Sequence, residues 1–168
     1  VGGVILIAAT IPNAARLLKY FPGYKKGARF NYKAKSALSR LAEKGLVVFL
    51  EEDGKRYARI TEKGQRILQM ETERGTTAKK RKWDRRWRVV IFDIPERRRS
   101  VRVRLRRFME EYGFVRLQDS VWIYPYDCED LIALAKANFR IGVDVLYMIV
   151  ERLERDKHLR ELFKLPTE

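Results

Sequence analysis

The spacing of apolar residues along this chain changes character twice, and each change marks a different kind of structure. Residues 1–11 (VGGVILIAATI) are almost wholly apolar up to Pro12, a run shorter than the ~20 residues of a membrane-crossing helix. In a chain that opens on Val1, this run reads as a core helix with a trimmed start; the end of an anchor is the alternative. Between residues 33 and 44 (KAKSALSRLAEK), Ala34, Leu38, Leu41 and Ala42 recur at helical spacing. Asn31 suits the N-cap, Lys44 the negative helix end and Gly45 the left-handed position beyond it. Two β-like runs follow, 46–51 and 55–60, around Asp53-Gly54, a dipeptide that favours the positive φ of a tight hairpin. Thr61 then caps a helix over 62–70 in which Ile67, Leu68 and Met70 are apolar. Residues 71–82 (ETERGTTAKKRK) lose all periodicity and read as a linker, with a domain boundary near residue 78.

From Trp83 onward, strands alternate with helices. Residues 87–94 (WRVVIFDI) form an apolar strand. Residues 96–112 form a long helix with Val101, Leu105, Phe108, Met109 and Tyr112 on one face, and Gly113 stops it. Hairpin strands over 114–117 and 120–124 follow, then a second helix over 127–139 with Asp127 as its N-cap. A strand over 143–150 and a charged helix reaching Phe163 complete the pattern. The order βαββαβ is that of the ferredoxin-like split arrangement, so the fold class is α+β. Strand 87–94 is apolar on both alternating faces, as is much of 143–150. Two helices cover one face of such a sheet, which leaves the other to be buried in a homodimer.

Charge sharpens this division. The 168 residues carry a formal net charge of +15. Residues 1–78 hold 15 Lys and Arg against 7 Asp and Glu, residues 79–107 hold 14 against 3, and residues 108–168 hold 8 against 12. A positive excess so concentrated points to a polyanionic partner, nucleic acid first and an anionic membrane surface second. The single cysteine, Cys128, excludes an internal disulfide framework and a cysteine-built zinc cluster, and fits a reducing, cytoplasmic setting. The single histidine, His158, lies in a charged run, where a solvated helix residue is a simpler reading than a catalytic base.

Helix, basic-tipped hairpin, helix is the order of a winged helix-turn-helix module, here residues 1–78. The segment YKAKSALSRLAEKGLV…DGKRYARITEKG resembles winged-helix transcription regulators in its KGLV and TEKG elements. The resemblance implies that helix 33–44 enters the major groove of double-stranded DNA with Lys33, Lys35, Ser36, Ser39 and Arg40, while Lys55, Arg56 and Arg59 touch phosphates from the wing. A winged helix used for domain packing or dimerisation, its cations merely solvated, is the alternative. In the second half, Lys79, Lys80, Arg81, Lys82, Arg85, Arg86, Arg97, Arg98, Arg99, Arg102 and Arg106 are candidate phosphate contacts, expected to form one continuous surface with Arg88 and Arg107. A solvated arginine face is the default for any one of them. Trp83 and Trp87 carry rings that can stack on bases, although Trp87 reads as core and Trp83 as cover for the domain edge.

The segment WRVVIFDIPERRRSVRVRLRRFMEEYGFVRLQDSVWIYP resembles the CRISPR-associated endonuclease family Cas-two, whose corresponding positions here are Asp93, Gly113, Gln118, Ser120, Val121 and Trp122. WDRRWRVVIFDIPE and VWIYPYD are also similar to the middle domain of phenylacetate-degradation (PaaX-type) repressors, which join a winged helix to this same fold. The full repressors carry a further C-terminal domain, to which the resemblance does not extend. The endonuclease resemblance implies that Asp93 from two subunits holds Mg2+ or Mn2+ across a dimer axis for phosphodiester hydrolysis. Asp93 stands two residues before Pro95 at the entry to a helix, where capping is the simpler reading of an aspartate than metal binding. Three functions therefore stand side by side: a DNA-binding regulator dimerised through its ferredoxin-like domain, with no cofactor; a metal-dependent nuclease; and a scaffold that clamps DNA for other enzymes.

Overall fold

The computed structural model describes residues 31–52, 55–74, 82–142 and 144–166, without the side chains of 31–36, 55, 56 and 74. The opening apolar run, the cap expected at Asn31, the Asp53-Gly54 turn and Lys79, Lys80 and Arg81 lie outside that description. In chain order the elements are α1 (Asn31–Glu43), β1 (Val47–Glu52), β2 (Lys55–Ile60), α2 (Glu62–Arg74), β3 (Trp87–Phe92), a 3-10 turn (Glu96–Arg98), α3 (Arg99–Tyr112), β4 (Val115–Gln118), β5 (Val121–Tyr124), α4 (Glu129–Phe139), β6 (Val145–Val150) and α5 (Lys157–Leu162). The class is mixed α and β, and its sheets are antiparallel.

The first unit is held by short local devices. Gly45 takes φ +69° after α1, and its N–H donates to the Ala42 carbonyl. Strands β1 and β2 pair from Val47 opposite Ile60 to Glu52 opposite Lys55, so two residues separate them. Thr61 works in both directions: its hydroxyl accepts from the Gly64 N–H at 3.1 Å, capping α2, and donates to the Gly45 carbonyl at 2.8 Å. Helix α2 continues through residues 71–74 of the expected linker, where Thr72 donates to the Leu68 carbonyl and Gln69 bonds Glu73.

The second unit is a four-stranded sheet in the spatial order β4-β5-β3-β6. Helix α3 ends as its sequence dictates, with Leu105, Phe108, Met109 and Tyr112 buried and Gly113 at φ +93°. The first turn differs from the expected continuous helix, because residues 96–98 form a tighter 3-10 turn after Pro95. No side chain caps either start, so the capping role considered for Asp93 is absent. The cap expected at Asp127 is corrected: Cys128 is the N-cap of α4, with no side-chain cap, and Asp127 one residue earlier accepts from the Glu129 N–H at 3.2 Å in a local turn.

Alternation along the strands sends Val90, Phe92, Trp122 and Tyr124 into one core with α3 and α4. Ala37, Leu41, Leu46, Val47 and Leu68 of the first unit belong to that same core, so the two units share one continuous apolar interior. The opposite face carries Trp87, Val89, Ile91, Val121 and Ile123, all at most 7% exposed. Leu159 and Leu165 are buried against it, with Phe163, Leu153 and Trp83 partly so. The reason given by sequence for a homodimer is therefore corrected: α5 and the residues around it cover the second face from within the chain. Asp156 anchors this cover by accepting from Trp87 Nε1 at 3.0 Å and from Arg160 Nε at 2.9 Å.

Lys136 of α4 has its amine pushed down to about 8 by burial, with no compensating charge. The depressed value means that the charged form weakens the fold at neutral pH, and that this cost fades as pH rises from about 8. Lys136→Met is expected to raise the melting temperature by roughly 2–4 °C at pH 7, an increase of about 1 kcal/mol, and by less at pH 10. An equal gain at both values would contradict this account.

Candidate nucleic-acid interface

The residues expected to meet DNA divide into three groups. In the helix–hairpin–helix unit, Lys33, Lys35 and Ser36 lie along α1 and Lys55 and Arg56 on β2, their side chains outside the description. Ser39 is exposed, and Ala37 and Leu41 fix the opposite side of α1 in the core. Arg59 projects from β2 within 3.5 Å of Glu52, both side chains more than half exposed. In the β1–β2 register Glu51 stands opposite Arg56 and Glu52 opposite Lys55.

Arg40 is placed differently. Its Nη2 donates to Asp130 Oδ1 at 2.9 Å and to Glu129 Oε2 at 3.3 Å, at the start of α4. Lys44 joins it, with Nζ 3.4 Å from Asp130 Oδ2. The Asp130 hydrogen bond raises the Arg40 guanidinium above its ordinary value. Leu41, Leu46, Ile67, Tyr112, Leu131 and Leu134 line a cavity of about 520 Å³ beside this contact.

The second and third groups lie beyond opposite ends of β3, a strand on the order of 20 Å long. Lys82, Arg85 and Arg86 are exposed before it. Trp83 is half-buried there, its ring 5.4 Å from that of Trp87 and under the Arg160 guanidinium. Trp87 and Trp122 are each 1% exposed and belong to the interior. Arg88 is interior too: its guanidinium meets both Asp84 oxygens, at 2.5 and 2.7 Å, and the Pro125 carbonyl at 3.0 Å. It is no surface cation, and the expected continuous band is broken where it turns inward.

Beyond the other end of β3, the arginines around α3 are engaged to different degrees. Arg98 donates to Asp144 Oδ2 at 3.0 Å and to the Phe139 and Arg140 carbonyls at the end of α4. Arg102 bonds the Ile94 carbonyl at 3.2 Å and Glu96 at 2.6 Å, which lowers the Glu96 carboxyl. Arg106 donates to the Asp119 carbonyl at 3.0 Å. Arg97 and Arg99 stay exposed, Arg99 4.0 Å from Glu96. Arg104 and Arg107 point toward α2, the former over the Phe139 ring and the latter paired with Glu111 at 2.7 Å.

Asp93 sits exposed just past β3, its backbone N–H bonded to the Asp144 carbonyl. Its carboxylate has no hydrogen-bond partner among the described residues, and no three His, Cys, Asp or Glu side chains gather there into a metal-binding group. Nor is any described helix long and apolar enough to cross a membrane.

Sequence comparison assigns the four-stranded unit. Residues 80–162 match the family described as PaaX protein central Cas2-like domain. This PaaX-like segment runs from just before β3 through α5 and contains Asp93, the α3 arginines and the acidic start of α4. No curated protein and no solved structure matches the chain.

What sequence reasoning missed was the carboxylate side of the site. Glu129 and Asp130 stand out only as an acidic pair after Asp127 in a strongly basic chain, and nothing local names Arg40 as their partner 89 and 90 positions away. Asp84 and Arg88 are four apart, but across a bend at Arg85 leading into β3 rather than in a helix, and outside a helix that spacing carries no standing expectation of contact.

Proposed function

We propose that this chain is a DNA-binding transcriptional regulator of the PaaX type, in which α1 and the β1–β2 wing form a winged helix and the four-stranded unit a ferredoxin-like partner domain. The observation that carries the reading is the attachment of a sealed helix–hairpin–helix unit to the PaaX-like segment, the two sharing one core. Ser39 and the outer face of α1 would meet base edges, and Arg59 on the wing would contact phosphates. Arg97, Arg99, Arg85 and Arg86 would add phosphate contacts from two separate places. A pair of copies would follow from a two-fold symmetric DNA site, since α5 already covers the centre of the second sheet face.

Binding of duplex DNA by about five phosphate contacts is expected to weaken roughly 10²–10³-fold between 50 and 200 mM salt. Fluorescence anisotropy with a labelled duplex measures this, and an affinity indifferent to salt would reject the proposal.

A metal-dependent nuclease is the second reading, favoured by one observation: Asp93 is an exposed strand-end carboxylate not spent on a helix cap. If it holds, Mg2+ or Mn2+ should support cleavage of DNA or RNA by the wild type and none by Asp93→Ala. Cleavage that persists in the variant removes Asp93 from the chemistry.

A further inference from the structure

Arg40 in the last turn of α1 and Lys44 just beyond the helix both reach the acidic first turn of α4. We propose that this turn is an intramolecular competitor for nucleic acid, in which Glu129 and Asp130 take the place of DNA phosphates on Arg40 and Lys44. The inference rests on the DNA-binding reading of α1.

Three observations carry it. First, Arg40 already donates to oxygens of two carboxylates, at 2.9 and 3.3 Å, and Lys44 to one of them at 3.4 Å. Both carboxylates are taken through the one nitrogen Nη2, so a phosphate that engages this edge of the guanidinium competes with groups of similar geometry. Second, the pairs are open to water: Arg40 and Lys44 are 44% and 58% exposed, Glu129 and Asp130 28% and 40%. Exposed ion pairs of this kind are weak, so they can exchange for another anion. Third, the docking of α1 does not depend on them. Ala37 and Leu41 are buried in the core that also takes Leu131 and Leu134 of α4. The charges can therefore part while the helix stays in place. Asp127, the third acid of the turn, is occupied with the Glu129 N–H.

DNA reaching α1 must displace the carboxylates, so the two cations contribute to binding only what remains after that exchange. Neutralising the turn with Glu129→Gln/Asp130→Asn, both of similar shape, should free them. Tighter DNA binding, by about threefold to tenfold at moderate salt, is the expected result, with the log–log salt slope steeper by up to ~2, near 0.9 for each released cation. Adding Arg40→Ala to this variant should remove most of the gain, because the two changes act on one contact. Glu154→Gln/Glu161→Gln supplies the same charge change near α5, which packs on the opposite sheet face from α4.

Anisotropy on the full chain with a mixed-sequence duplex reads all four proteins, and thermal unfolding shows that each is folded. Should the α4 variant fail to fold, Asp130→Asn alone carries the test, because Asp130 contacts both cations. Wild-type binding left unchanged or weakened by the α4 substitutions overturns the competitor alone, as does an equal gain from the α5 pair. No DNA binding by any of the proteins overturns the functional reading as well.

Discussion

Gly64→Ala is expected to destabilise the helix–hairpin–helix unit by about 2 kcal/mol, although alanine is the better helix former. Gly64 lies in α2, three residues after Thr61, where the chain passes directly over the turn that follows α1. A Cβ built there collides with the Leu46 carbonyl oxygen and comes within 2.7 Å of Ile60 Cγ1. The second obstacle is a side chain and can turn aside. The first is backbone, fixed because the Leu46 oxygen accepts the Thr61 N–H at 3.0 Å and the Leu46 N–H donates to Leu41 at 2.8 Å. Overpacking against a fixed group costs about 1–3 kcal/mol, while helix propensity returns at most ~1. Urea unfolding should show a lower midpoint, and Ile60→Ala should not restore it. Gln65→Ala, at the adjacent exposed position, should be neutral or slightly stabilising. If Gly64→Ala also proves neutral, the close approach of α2 to Leu46 is wrong.

That glycine shows how much of the fold was legible in the sequence. TEKG drew attention as a resemblance, and Thr61 as a cap followed from its place before an amphipathic run. The need for glycine at 64 was not legible, because it comes from Leu46 across the hairpin rather than from local φ. The same split recurs through the chain. Gly45, Gly113, the β1–β2 hairpin and the buried face of α3 are local matters of period and turn chemistry, and all were readable. The cover of the second sheet face was not. Residues 154–160 are so charged that the helix reads as solvated, although Leu159, Phe163 and Leu165 are spaced to lay one side on Trp87 and Ile123. Counting charge likewise located the basic region but not its shape. The arginines of α3 project over a wide arc, and Arg98, Arg102 and Arg106 each find a carbonyl nearby.

Asp84→Ala is expected to cost about 2–3 kcal/mol, lowering the melting temperature by roughly 5–10 °C, because it strands a buried charge. Arg88 points from β3 into the interior with its side chain 6% exposed, while Asp84 is 45% exposed. Burial by itself would lower the Arg88 pKa; the Asp84 carboxylate overrides this and leaves the guanidinium raised. The same pairing holds the Asp84 carboxyl below its usual range. A depressed carboxylate contributes stability above its unfolded value and loses it as pH falls through the folded one. The wild type should therefore lose part of its margin over Asp84→Ala below about pH 4. The exposure of Asp84 keeps the cost under the full penalty of a buried pair, since water can approach the orphaned guanidinium. Arg88→Met should cost less than Asp84→Ala, because the carboxylate it leaves behind is near solvent. Combining the two should be milder than the sum, as Asp84 has no buried cation left to neutralise. Calorimetry on the three variants checks the order, and an Asp84→Ala protein as stable as wild type would show that Arg88 needs only the Arg86 and Pro125 carbonyls, at 2.8 and 3.0 Å.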